Sequence, residues 1–450
     1  MLRVDDARHG ELGLFTDLYE LTMLQAYLEE GLQDTAVFSL FVRRLPDGRH
    51  VLVACGLDTL LEQLESLRFS SEDLAYLTSL QLFSAPLLAW LGRFRFTGDV
   101  YAVPEGTPVF ADEPIVEVVA PLPEAQLLET LVMNQIHLQT VLASKAVRVV
   151  AAARGRGVID FGARRSHGLD AAILGARACY VAGVHGTSNV FAGRRFGIPV
   201  SGTMAHSYVQ AHASEREAFR AFATTFPGTV LLVDTYDTLA GVRHVIDLMT
   251  GAAPPPRISA IRLDSGDLGA LARASRRLLD EAGLTGIRIF ASGGLDEYEI
   301  ARLVAAGAPI DGFGVGTGMS VSGDAPALDI VYKLTEYAGE GRTKLSSGKP
   351  ILPGRKQVFR RDPAERHGGD VIGRFDEHLD GRPLMEMVMR GGRRLRPALD
   401  LEAVRAHAAR ELAGLPRDVT AVEGPVVPYR VTVSAALERD HEEVRRRMGG

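Results

Sequence analysis

Between residues 151 and 332 the chain contains no lysine, although arginine is plentiful there. That absence excludes a Schiff-base nucleophile and a P-loop lysine from the whole central segment, and leaves arginine as its anion-binding cation. Cysteine is nearly as scarce. Cys55 and Cys179 cannot build a disulfide framework or a four-thiolate zinc site, and Cys179, in an Ala-rich apolar stretch, reads as a small core residue. The sequence also lacks the long uncharged apolar run of a signal peptide or a membrane span, so the cytoplasm is the expected compartment and no membrane partner is expected. Surplus positive charge is missing too: with a formal net charge of -6 and 24% charged residues, no broad basic surface for nucleic acid is expected. Finally, no Gly-x-Gly-x-x-Gly follows a first strand, which counts against a dinucleotide fold.

What remains is a chain of 450 residues, 46% of them hydrophobic, long enough for two or three domains with a substantial core. Residues 16 to 30 read as an amphipathic helix, with Thr16 or Asp17 near its start and Gly31 just past its end. Short β-prone runs broken by Pro and Gly from 96 to 120 suit a small antiparallel sheet, and a long helical stretch follows from 124 to 153. The centre then repeats one unit, a short apolar strand ending in polar or Gly residues followed by a helix. Strands are expected at Val158 to Phe161, Tyr180 to Val184, Ile198 to Ser201, Val230 to Asp234, Ala260 to Leu263, Arg288 to Ala291 and Gly312 to Val315. The clearest helices are expected at 215 to 225, 238 to 249, 267 to 282 and 296 to 306. Such alternation implies a parallel sheet, and seven units favour a closed or nearly closed α/β barrel over an open doubly wound sheet, with an irregular or incomplete α/β barrel as the expected form. The expected fold class is therefore α/β. An N-terminal α+β domain would span residues 1–150, the barrel 151–335, and a small C-terminal region 336–450, the last returning to the N-terminal domain and ending in helix. Lys344, Lys349, Arg355 and Lys356 read as a solvated basic loop.

In a barrel of this kind the residues just past each strand's carboxyl end face the site. Collected in order, these are Gly162 to His167 with Arg164 and Arg165; Thr203 and His206; Asp264 to Asp267; Ser292, Gly293 and Gly294; and Gly316, Thr317 and Gly318. His206 stands where the apolar run ending at Val200 gives way to small polar residues, a setting for chemistry rather than for packing. The two glycine-rich turns, at adjacent strands, offer backbone N–H groups to a phosphate. One of Arg164 and Arg165 is expected to fork onto phosphate or carboxylate oxygens. Strand alternation sends Arg262 and Asp264 to the same side, which places a cation and a carboxylate together in the lumen. A structural salt bridge between them is the competing interpretation.

The blocks TDLYELTM (16 to 23), DFGARR (160 to 165), GTMAHS (202 to 207), RLDSGD (262 to 267), ASGG (291 to 294) and GVGTG (314 to 318) occur in this order, and the set resembles the nicotinate phosphoribosyltransferase family. The resemblance runs from the first helix to about residue 360. It implies that His206 is a histidine phosphorylated by ATP, and that Tyr19, Phe161, Thr203 and Arg262 bind nicotinate, the Tyr19 ring stacking on the pyridine. It further implies that Ser292, Gly293, Gly294, Gly316 and Thr317, with Arg164 or Arg165, hold the phosphoribosyl and phosphate groups. Displacing diphosphate from C1 of 5-phosphoribosyl 1-diphosphate builds positive charge on the ribose, for which Asp264 is the chosen carboxylate, with Mg2+ bridging the diphosphate oxygens and no metal held by protein ligands alone. ATP would be a co-substrate of an ATP-coupled ligase in NAD salvage. A homodimer completing each active site across its interface is implied as well, so Tyr19 would serve the other subunit's barrel.

Other interpretations compete. A nicotinamide phosphoribosyltransferase would be similar in fold and also has a site histidine, but Ala-Arg-Arg after Asp-Phe-Gly favours the acid substrate. A quinolinate phosphoribosyltransferase relies on lysines that the barrel segment lacks. A non-catalytic sugar-phosphate binding protein on the same scaffold would have no need of His206 with Asp264. A phosphosugar isomerase or aldolase is weakened by the missing lysine. ATP turnover separates the first interpretation from these.

Overall fold

The computed structural model describes residues 12–251, 254–345, 351–361, 368–422, 424 and 428–449. The chain divides into two compact units, one of Met1–Val141, Ala327–Val419 and Val426–Gly450, the other of Leu142–Pro326 and Thr420–Pro425.

The first unit is built on a seven-stranded sheet in which every neighbouring pair is antiparallel. Thr35–Val42 lies inside it between Ile330–Tyr337 and Pro114–Pro121, and seven of its eight residues are buried. Such a strand reads as a continuous apolar run because both of its faces are covered. The C-terminal stretch returns to this sheet through Glu386–Arg390, which pairs with Asp99–Ala102. The helix Leu18–Glu30 starts after Asp17 and stops at Gly31, whose φ of +73° suits glycine. The basic stretch expected to be solvated is not so at two of its positions. Lys356 is buried, with Nζ 3.1 Å from Glu117, because Glu117 at 0% exposure needs a counter-charge. Arg355 lies between the rings of Tyr101 and Phe375, its guanidinium carbon 4.2 and 3.9 Å from their centroids. Lys344 is exposed, and Lys349 lies outside the described residues.

Glu20 is fully buried in this unit and accepts hydrogen bonds from Thr16 and Thr130, yet burial pushes its carboxyl up to about 7 from 4.5. The folded state therefore favours the protonated form, and the stability this confers is present below 4.5 and lost as pH rises through about 7. Glu20→Gln should match the parent protein at about pH 5 and exceed it at about pH 8, by up to about 3 kcal/mol in chemical denaturation. Equal stability of the two proteins at the higher pH would contradict this.

The second unit holds a six-stranded parallel sheet in the order Gly186–Thr187, Gly157–Asp160, Gly312–Val315, Arg288–Ala291, Ile258–Leu263, Thr229–Leu232. Beyond Thr187 a single parallel bridge to Val200 extends it. Among the described residues no ladder joins Val200 to Thr229–Leu232, so the curled sheet is an incomplete barrel, as expected. Helices Glu215–Thr225, Thr238–Gly251, Leu268–Glu281 and Glu297–Ala305 fall where the sequence pattern predicts them. Three begin at a side-chain cap: Ser214, Asp267 and Asp296 accept from the N–H groups of Glu217, Ala270 and Glu299.

Two expected strands differ. Tyr180 and Val181 end the helix Leu169–Val181, Gly183 turns the chain with φ +106°, and the strand begins only at Gly186. All nine residues from Ile173 to Val181 are buried, Arg177 among them, so no exposed face marked the helical period. Ile198 to Ser201 contributes only the bridge at Val200. Lys145, the last lysine before the barrel segment, is buried and bonded to Glu297 and Asp324. Arg148 shares Glu297 at 3.0 Å. These cations neutralise a fully buried carboxylate and are committed to the fold. No helix among the described residues is long and apolar enough to cross a membrane.

Candidate active site

The carboxyl ends of the parallel strands surround a cavity of about 660 Å³. Its lining includes Phe161, Arg164, Arg165, Thr203, His206, Arg262, Asp264, Ser292, Gly293, Gly294, Gly316 and Thr317. Twelve of the thirteen candidate residues thus meet in one space within one unit. The thirteenth, Tyr19, belongs to the other unit, where it is 47% exposed beside the exposed Leu18. Burial, followed by the carboxylates of Glu129, Glu20 and Asp17, raises its hydroxyl pKa.

His206 opens the short helix His206–Gln210, one side of its ring toward each of two neighbouring strand ends. Its Nδ1 is 3.2 Å from Thr235 Oγ1, and its Nε2 is 3.8 Å from Asp264 Oδ2. The second distance is too long for a hydrogen bond and short enough for a charge interaction. Asp264 is itself held from two directions. Ser292 Oγ donates to its Oδ1, and its backbone N–H donates to Asp234 Oδ2 at 2.9 Å. The Ser265 hydroxyl donates to that same Asp234 oxygen at 2.7 Å. The Ser292 hydroxyl is thus given to the carboxylate, which makes Ser292 a support for Asp264 as well as part of the cavity wall.

Arg262 is the electrostatic centre of the site. One Nη donates to Met204 O at 3.0 Å, while the buried Nε has no hydrogen-bond partner among the described residues. Burial lowers its pKa, the carboxylates of Asp264 and Asp234 raise it, and Arg164 lowers it. An arginine keeps its proton through shifts of this kind, so the site carries a desolvated cation with donor capacity to spare. The guanidinium carbon sits 5.9 Å from the Phe161 ring centroid, and that ring lies against Gly314, where a Cβ would approach to 2.3 Å. An aromatic face and a planar fork of donors thus line one cavity. No salt bridge between Arg262 and Asp264 appears among the described contacts, although both line the cavity.

The glycine turns close the other side. Gly293 has φ +86°, and a Cβ there would lie 1.8 Å from the backbone oxygen of Asp264. Gly294, at φ +63°, faces open space. The helix that follows is capped by Asp296, so a phosphate would be met by the turn's own N–H groups rather than by the helix end. Asp160 secures the Phe161 turn by accepting from Gly162 N–H at 2.8 Å and from the Thr187 hydroxyl at 2.7 Å. Among the described residues no cluster of three or more His, Cys, Asp or Glu could hold a metal ion alone. Thr235 and Asp234 were missed by sequence reasoning. Their signal was present, because both follow the strand Thr229–Leu232 in the position that drew attention elsewhere.

Comparison with known proteins covers nearly the whole chain. Family models match in three parts: the nicotinate phosphoribosyltransferase N-terminal domain at residues 14–137, the family core at 157–358 and the C-terminal domain at 376–440. The last match lies beyond the final sequence block of the resemblance. The nicotinate phosphoribosyltransferase pncB2 of Mycobacterium tuberculosis is 56% identical over 422 residues, covering 94% of this chain and 91% of that protein. The nicotinate phosphoribosyltransferase of Bacillus subtilis is 42% identical, covering 84% and 80%. The crystal structure of human nicotinic acid phosphoribosyltransferase superposes with a TM-score of 0.83 at 26% identity, covering 96% of this chain and all of that one. A nicotinate-nucleotide pyrophosphorylase from Pyrococcus furiosus, at TM-score 0.76 and 23% identity, shares the fold.

Proposed function

Because the chain belongs to the nicotinate phosphoribosyltransferase family, we propose that it converts nicotinate, 5-phosphoribosyl 1-diphosphate, ATP and water to nicotinate mononucleotide, diphosphate, ADP and phosphate, through a phosphohistidine at His206. This would be an entry step of NAD synthesis from nicotinate. The observation that carries the choice of substrate is Arg262, a desolvated guanidinium beside the Phe161 ring whose Nε has no hydrogen-bond partner among the described residues. The nicotinate carboxylate gives that cation a partner, while the ring packs against Phe161.

The pyridine nitrogen then attacks C1 of the ribose as the bond from C1 to the diphosphate oxygen breaks, its electron pair leaving with diphosphate. Positive charge on the ribose faces Asp264, whose carboxylate Ser292 and Asp234 hold in place. The turns at Gly293, Gly294 and Gly316 with Thr317, and an arginine of the Arg164 and Arg165 pair, take the phosphates. The Asp264 carboxylate would help to hold a Mg2+ brought in with the substrate, since Mg2+ commonly binds through one or two carboxylates and substrate phosphates. There it would neutralise leaving-group charge. Tyr19, with Leu18 exposed beside it, would complete the site of a second subunit in a homodimer.

The test is steady-state product formation with 5-phosphoribosyl 1-diphosphate and Mg2+, offering nicotinate or nicotinamide, each with and without ATP, while ADP release is followed. Nicotinate mononucleotide accompanied by ADP is the expected outcome. Product from nicotinamide alone would overturn the role of Arg262, and no product from either would overturn the function. In the same assay Arg262→Gln should raise KM for nicotinate by ~10 to ~150 fold, the equivalent of one charge-assisted hydrogen bond. An unchanged KM would remove Arg262 from carboxylate recognition.

A further inference from the structure

Thr235 has no place in the sequence motifs, yet among the described residues its hydroxyl makes the hydrogen bond that holds the His206 ring, at 3.2 Å from Nδ1. We propose that Thr235 is a positioning residue: it fixes the His206 imidazole in the orientation and tautomer that leave Nε2 open to take a phosphoryl group. This rests on the assignment of His206 as the phosphorylated residue.

Among the described residues little else restrains the ring. His206 opens a helix of five residues whose N-cap, Ala205, supplies no side-chain cap, and its side chain is 41% exposed. Asp264 stands 3.8 Å from Nε2, beyond hydrogen-bonding range, so it senses the charge of the ring without fixing the ring's rotation. Thr235, by contrast, is delivered from a rigid base. The preceding residue, Asp234, is nearly buried and accepts both the Asp264 N–H and the Ser265 hydroxyl. One loop thereby ties down the carboxylate's turn through Asp234 and the imidazole through Thr235, which keeps the two reacting groups in register. A β-branched side chain suits this task because its χ1 is stiff.

A hydroxyl can accept the proton of Nδ1, and when it does the lone pair lies on Nε2. From that tautomer the Nε2 lone pair forms the N–P bond with the γ-phosphorus of ATP. The bond from that phosphorus to the bridging oxygen breaks, with its electron pair leaving on ADP. The Nδ1 proton stays on the ring, hydrogen-bonded to Thr235 Oγ1, and the resulting positive ring charge faces Asp264.

Thr235→Val removes the oxygen and keeps the shape, and Thr235→Ser restores the oxygen without the methyl. Long-range nitrogen-proton correlation spectra of the resting protein report the His206 tautomer without need of ATP, with His206→Ala identifying the signal. The parent protein and Thr235→Ser should show the Nδ1–H form, and Thr235→Val should shift toward Nε2–H. Phosphoprotein formation from γ-labelled ATP should slow by at least about 10-fold in Thr235→Val, with KM for nicotinate and 5-phosphoribosyl 1-diphosphate changed by less than about twofold. Thr235→Ser should recover most of that rate. The same tautomer and rate in Thr235→Val as in the parent would overturn the proposal. So would a loss that Thr235→Ser does not repair, since it would mark the methyl as a packing group. If the parent protein forms no phosphohistidine, the functional assignment of His206 fails and this role falls with it, whatever the spectra show of the hydrogen bond.

Discussion

In His206→Ala, ATP hydrolysis is expected to fall by roughly 10⁴-fold or more, to background, and nicotinate mononucleotide to form only slowly and without ADP. The ring stands between the Thr235 hydroxyl and the Asp264 carboxylate on the wall of the cavity, and no lysine occurs from 151 to 332 to replace it as a nucleophile. The nearest lysine in sequence before that segment, Lys145, is bonded to Glu297 and Asp324. Because the His206 side chain is 41% exposed, its loss should leave thermal stability nearly unchanged, so an activity defect cannot be ascribed to unfolding. The assay pairs ADP release with recovery of acid-labile phosphate on the protein. Hydrolysis at the parent level in the variant would sink the phosphohistidine role.

Gly293→Ala should be the most damaging change that alters no functional group. Its Cβ would lie 1.8 Å from the Asp264 backbone oxygen, and its φ of +86° is strained for any residue with a side chain. Backbone cannot yield as a flexible side chain does, so the turn bearing Asp264 must move, and the carboxylate that faces His206 moves with it. A misplacement of about 1 Å at a reacting group costs roughly 100-fold in rate, and the strain should cost roughly 3 kcal/mol of stability. Gly294→Ala is the control. At φ +63°, with no protein atom within 4 Å of its Cβ, it should lose only about 1 to 2 kcal/mol of stability. Equal stability of the two variants would show that the contact between the turns imposes no strain.

Much of this was legible in the sequence. The caps at Ser214, Asp267 and Asp296 mark helix starts through contacts only three residues long. Alternation along Ile258–Leu263 was enough to put Arg262 and Asp264 on the wall of one cavity. The tendency of an α/β barrel to carry its chemistry just past the strands then gathered His206, Ser292, Gly293 and Thr317 with them. These inferences succeed because each depends on a neighbour in the chain or on a regular period.

The tertiary structure decided what depends on distant partners. Tyr180 and Val181 end a helix whose residues from Ile173 on are all buried, Arg177 included, so neither period was visible there. Lys356 was drawn inside by Glu117, and Arg355 by two aromatic rings, none of which its own loop could announce. Thr235 meets His206 across 29 positions of sequence, and Asp234 meets the Asp264 N–H across 30. The sequence by itself determined most of the residues that stand at the strand ends, since local periodicity and capping act within a few residues. Only the folded sheet decided how those ends hold one another, because hydrogen bonds and charge pairs across strands exist only once the strands are side by side.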